Sequence, residues 1–139
     1  MRRVLMFSTK FPEDHPLRGN PTFFPEKILK REKIHTIRAG YQFNDGDTIL
    51  FRYWKDKPYR SKQVEFRDPA IVSVQKIKME WKGLEFHVEI DGKEMGDGII
   101  LKLSKNDGLA PSEFIDWFTK GKAEGRFEGQ IRHWTDFKY

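Results

Sequence analysis

With 139 residues, 37% of them hydrophobic and 34% charged, the chain has the size and polarity of one globular domain spanning residues 1–139. It contains no cysteine, which excludes disulfides and thiolate metal sites and fits a reducing, cytoplasmic setting. The net charge is +5 and the sequence pI about 9.4, a balance that admits a polyanionic partner.

Arg3 to Phe7 is a short apolar run bounded by polar residues and reads as a first core strand. The run stops at Ser8, too short for a signal-peptide core, and no segment approaches a membrane span. Pro12, Pro16, Gly19 and Pro21 make Phe11 to Pro21 a loop. Thr22 then caps a short helix whose apolar face is Phe24, Ile28 and Leu29, with Pro25 tolerated in the first turn. That helix empties into Ile34 to Arg38, whose β-branched residues favour a strand. A cation and a hydroxyl, Lys33 and Thr36, stand at the junction, with a second cation at Arg38.

Ala39-Gly40 ends this strand and Asn44-Asp45-Gly46-Asp47 is a strong turn. Strands are expected over Thr48 to Trp54, Val64 to Phe66 and Ile71 to Met79, the last two separated by Asp68-Pro69. Leu84 to Ile90 is the cleanest alternating strand, placing Leu84, Phe86, Val88 and Ile90 on one face. Asp91-Gly92-Lys93 turns the chain into the buried run Ile99 to Leu103. A second helix starts near Pro111, carries Phe114, Trp117 and Phe118 inward and ends at Gly121. Gln130 to Lys138 forms the last strand. Many short strands with two helices predict an α+β fold built on a small, mostly antiparallel barrel.

The charges are unevenly spread. Arg52, Lys55, Lys57, Arg60, Lys62 and Arg67 oppose only Asp56 and Glu65, with Tyr53, Trp54, Tyr59 and Phe66 interleaved. Between Glu80 and Gly98 the balance turns acidic. A run of charge can be a solvated face. Cations mixed with aromatics also suit single-stranded nucleic acid, whose bases stack and whose phosphates need neutralising. The candidate patch is Arg52, Trp54, Lys55, Lys57, Tyr59, Arg60 and Lys62. His15, His35, His87 and His133 have no metal-ligand spacing, so neither a metal nor another cofactor is expected.

Phe23-Phe24, Ile28-Leu29 and Lys33-x-x-Thr36-Ile37-Arg38 resemble the opening motif of ASCH domains, relatives of the PUA RNA-binding fold. Asn106-Asp107-Gly108-Leu109 and Gly129-Gln130-Ile131 fall where that family has later motifs, so the likeness covers residues 22–139. It implies a PUA-like barrel that binds RNA or a modified nucleoside in a cleft around Lys33, Thr36, Arg38 and Asp107. Gln130 would read a base amide, and Tyr41 would offer a stacking surface. One branch of the family, the bacterial acetylcytidine amidohydrolases, implies an alternative. Lys33 would act as base, Thr36 as nucleophile and Asp107 as acid, where that branch carries the longer glutamate. A third reading is a protein-binding adaptor whose basic face meets an acidic partner.

Overall fold

The computed structural model describes residues 1–139. Its first sheet joins β1 (Arg2–Met6), β3 (Thr48–Trp54) and β4 (Gln63–Ile71) in the order β1-β3-β4. Its second joins β2 (His35–Arg38), β5 (Ser73–Lys82), β6 (Glu85–Ile90), β7 (Lys93–Glu94) and β8 (Glu124–His133) in the order β2-β8-β5-β6-β7. β1 runs parallel to β3, and every other pairing is antiparallel. Three helices complete the chain: α1 (Phe24–Leu29), α2 (Ile99–Asn106) and α3 (Pro111–Thr119). None is long and apolar enough to cross a membrane.

The fold is α+β, but the expected barrel is not formed, because neither sheet closes on itself. A barrel leaves no strand edge unpaired. Here β4 and β5 are nearly continuous, with only Val72 between them, so the chain turns a corner from one sheet into the other. Backbone bonds from Val72 to Asp47 and from Gly46 to Val72 pin that corner. On the opposite side β1 and β2 share no ladder. A side chain bridges that seam: Arg38 Nη2 donates to the Met6 carbonyl at 2.6 Å.

Ile99 to Leu103, expected as an extended buried run, lies in α2 instead. Gly98, at φ 84°, starts the helix, and Leu103 and Ser104 are its buried residues while Leu101 is exposed. Burying two residues one helical turn along satisfies this run, and the local β preference is overridden. The last strand starts earlier than expected, at Glu124, and ends at His133. β4 runs through Asp68-Pro69 because it is an edge strand, where a missing N–H costs no ladder bond. Leu84 sits in the turn before β6 and is fully exposed.

The core lies between the sheets and under α1 and α3. Phe7 and Phe51 stack at 5.9 Å, and Trp134, which follows β8, meets them edge-on at 5.7 and 5.2 Å. Phe114, Phe118 and Phe127 seat α3 on β8, while Phe11 and Phe24 pack on Trp117. On β5 the alternation of Gln75, Ile77, Met79 and Trp81 inward holds without a break.

Candidate functional site

The α1–β2 junction is built around a buried cation. Thr22 Oγ1 donates to the Ser8 carbonyl at 2.7 Å and accepts from Phe24 N at 3.3 Å, but the N-cap position of α1 is Phe23, at φ 58°, and not Thr22 as expected. Phe24 and Ile28 face inward, whereas Leu29 is exposed. Past the helix Lys33 is only 1% exposed. Its Nζ donates to Asp107 Oδ1 at 2.8 Å and to the Asp107 carbonyl at 2.7 Å, and lies 4.2 Å from the Phe24 ring centroid. Its stem packs on Gly108, where a Cβ would come within 3.1 Å of Lys33 Cβ.

His35 Nδ1 is 3.5 Å from the same Asp107 Oδ1, an ion-pair distance with no nearer partner, and Nε2 is 2.7 Å from Tyr139 OH. Asn106 Nδ2 donates to that hydroxyl at 3.0 Å. Burial pushes the Lys33 ammonium below its ordinary value, and Asp107 opposes the shift. Burial alone would raise Asp107, but Lys33 and His35 carry it below the usual carboxylate range. The Lys33 donors are turned onto Asp107 and an aromatic face, so this group reads as an internal staple.

Strand alternation sends Thr36 the other way from His35. Thr36 faces Arg132 and Arg38 faces Gln130 across the β2–β8 ladder, so these four side chains share one face. Thr36 Oγ1 accepts from Arg38 Nε at 3.2 Å. Gln130 is clamped to the Phe43 backbone: Oε1 accepts from Phe43 N at 3.0 Å and Nε2 donates to Phe43 O at 2.9 Å. Arg132 donates to the Tyr41 carbonyl, and its guanidinium carbon lies 3.8 Å from the Phe43 ring centroid. Burial and the nearby Arg38 and Arg3 push it down to about 10. Tyr41 is exposed, and its hydroxyl accepts from Arg3 at 2.6 Å.

Arg38 also opens onto a cleft of about 1240 Å³. One wall is Met6 to Glu13 with Arg18 and Gly19, and the other is Trp54 to Tyr59 at the tip of the β3–β4 hairpin. Five cations line it (Lys10, Arg18, Arg38, Lys55 and Lys57) against Glu13 and Asp56. None of the five takes part in an ion pair. Trp54 and Tyr59 pack at 5.2 Å, and Tyr59 is 88% exposed although its φ of 64° is unfavourable for a side chain.

The sequence-derived candidates therefore divide into three groups. Lys33 and Asp107 meet in the interior, while Thr36 and Arg38 lie together on the other face. Trp54, Lys55, Lys57 and Tyr59 line the cleft beside Arg38. Arg60 and Lys62 are exposed on the same hairpin, and Arg52 is occupied by Gln63 at 3.1 Å and Glu65 at 3.7 Å. Sequence reasoning missed Lys10, Arg18 and Arg132. The register of β8 against β2 is the signal that places Arg132 beside Thr36, whereas a proline-rich loop offers no periodicity that would aim Lys10 or Arg18.

Comparison with protein-family models, curated proteins and solved structures finds no match to this chain.

Proposed function

We propose that the chain binds single-stranded RNA or a modified nucleoside in the cleft between the Met6–Glu13 segment and the hairpin tip. The observation that carries this reading is Arg38, a half-buried guanidinium that lines the cleft and has no carboxylate partner. A cation withdrawn from water is costly unless an anion compensates it. Lys55 and Lys57 on the rim supply exchangeable charge for phosphates, and Tyr59 and Trp54 supply π faces for bases. The likeness of Lys33-x-x-Thr36-Ile37-Arg38 to ASCH domains supports the same class of ligand. On this reading Lys33 and Asp107 hold the α1–β2 junction, Thr36 orients Arg38, and Gln130 and Arg132 brace the Tyr41–Phe43 segment behind it.

Fluorescence anisotropy with a short single-stranded RNA, repeated across a salt series, tests the proposal. Log affinity should fall by roughly 0.7 per neutralised phosphate per decade of salt. Lys55→Glu with Lys57→Glu should weaken binding and flatten the slope. Equal affinity and slope for this double variant would remove the cleft from the binding surface.

A further inference from the structure

Arg38 is not the only arginine on its sheet face without a counter-ion. Arg132 takes part in no ion pair either, and only 5% of it is exposed. Because Arg38 pairs with Gln130 and Thr36 with Arg132, the two arginines are diagonal neighbours across the β2–β8 ladder. Such positions are about 7–8 Å apart. Arg38 destabilises the charge on Arg132, and the fold keeps both.

Their donors are used unequally. Arg132 spends Nη2 on the Tyr41 carbonyl and Nε on Gln130 Oε1 at 3.4 Å, with its plane against Phe43. It is fixed in place behind the cleft. Arg38 spends Nη2 on Met6 and Nε on Thr36, which locks the guanidinium plane. Its Nη1 end meets no protein acceptor and is not sealed from solvent. A planar fork held by two bonds, with one edge free and a second cation behind it, suits an anion of more than one negative charge.

The internal phosphodiesters of an RNA chain carry one charge each and can be met by the mobile lysines on the rim. A terminal phosphate carries nearly two charges near neutral pH and presents three oxygens. We infer that the Arg38–Arg132 pair is a subsite for the terminal phosphate of a nucleotide or oligonucleotide whose first base reaches Trp54 and Tyr59. This rests on the proposed reading of the cleft as a nucleic-acid site. Arg38 would contact the phosphate, and Arg132 would act as a positioning residue that adds positive potential from behind.

The test compares one RNA sequence carrying a 5′-phosphate, a 3′-phosphate or hydroxyls at both ends, by calorimetry at two salt concentrations. A terminally phosphorylated form should bind about tenfold or more tighter than the all-hydroxyl form. The preference should survive at about 0.3 M salt, because a half-buried contact is screened less than a rim contact. Arg38→Met should erase the preference, weakening the terminally phosphorylated RNA more than the all-hydroxyl RNA, and Arg38→Lys, which keeps charge without the fork, should retain part of it. Should Arg38→Met fail to fold, the wild-type comparison still decides. Equal wild-type affinity for all three RNAs overturns the subsite and leaves chain binding standing. If no RNA binds but pyrophosphate raises the melting temperature of wild type more than that of Arg38→Lys, the anion subsite stands and the nucleic-acid reading falls. If neither RNA nor pyrophosphate has any effect, both are overturned.

Discussion

Lys33 and Asp107 are joined twice, once through the carboxylate at 2.8 Å and once through the Asp107 backbone carbonyl at 2.7 Å. Their backbones also form an isolated antiparallel bridge, and Ile34 N donates to the Asn106 carbonyl at 2.8 Å. The end of α2 is thereby tied to the start of β2, the strand that carries Thr36 and Arg38. Breaking this pair should act on the cleft through stability and alignment, without touching the ligand.

Lys33→Met leaves the buried Asp107 carboxylate with only His35 beside it, which should cost up to about 3–5 kcal/mol of folding free energy. Adding Asp107→Asn removes the orphaned charge and should recover a substantial part of that loss. Urea denaturation of wild type, both single variants and the double variant would measure the coupling. A loss under about 1 kcal/mol for Lys33→Met would mean that the pair behaves like a solvated one.

Acid should weaken the fold over a defined window. Burial pushes His133 from 6.5 down to about 4, with His35 and Lys138 adding repulsion and Asp91 opposing it. Burial likewise lowers His35, against the pull of Asp107. Both rings take a proton more readily unfolded than folded, so the unfolded state gains protons first and stability rises with pH. Their contribution is complete above about pH 6.5 and is lost as pH falls toward 4. Urea midpoints should drop between about pH 7 and about pH 5, and His133→Gln should shrink that drop. An unchanged midpoint across the interval would show that neither ring is held neutral by burial.

Some of this was legible in the residues. Gln75, Ile77, Met79 and Trp81 alternate inward as period-two patterning requires, and Phe24 with Ile28 marked the face of α1. Local pattern failed where a tertiary contact decided the outcome. Ile99 and Ile100 favour a strand, yet they pack partly against the core together with the fully buried Leu103 at helical spacing, while Leu101 is left exposed. Closure failed for a similar reason, since alternation says which face of a strand is buried and not which edges pair. The hydroxyl of Thr36 was visible in sequence, but its partner Arg38 and the turning of Lys33 toward Asp107 depend on the hand-over from α1 to β2. The cleft joins residues near position 10 to residues near position 57, a separation that no local motif spans.

Gly129 sets how closely β8 approaches the end of β2. A Cβ there would collide with the Arg38 carbonyl oxygen, a backbone atom that cannot swing away. Gly129→Ala should therefore displace Arg38 and cost about 1–3 kcal/mol, the usual range for overpacking. Ligand affinity should fall with it even though residue 129 lies outside the cleft wall. Melting curves and anisotropy on one preparation would test both. A variant with wild-type stability and wild-type affinity would show that the strand edge accommodates the methyl group.

Tyr59 offers a test in which stability and binding part company. Its φ of 64° places a bulky residue in the left-handed region, which costs roughly 1–2 kcal/mol that glycine would not incur. Its packing on Trp54 at 5.2 Å returns about 0.5–1.5 kcal/mol, and less at an exposed site. These terms nearly cancel, and glycine's greater freedom in the unfolded chain offsets part of the relieved strain, so Tyr59→Gly should change folding stability by less than about 1 kcal/mol. Loss of the exposed ring should nonetheless weaken single-stranded RNA binding by about 1–3 kcal/mol, the value of one stacked base. Tyr59→Phe, which keeps the ring and the strain, should bind like wild type. Anisotropy on the three proteins, beside urea melts, separates the effects. RNA affinity unchanged in Tyr59→Gly would mean that the strained ring serves the hairpin and not a ligand.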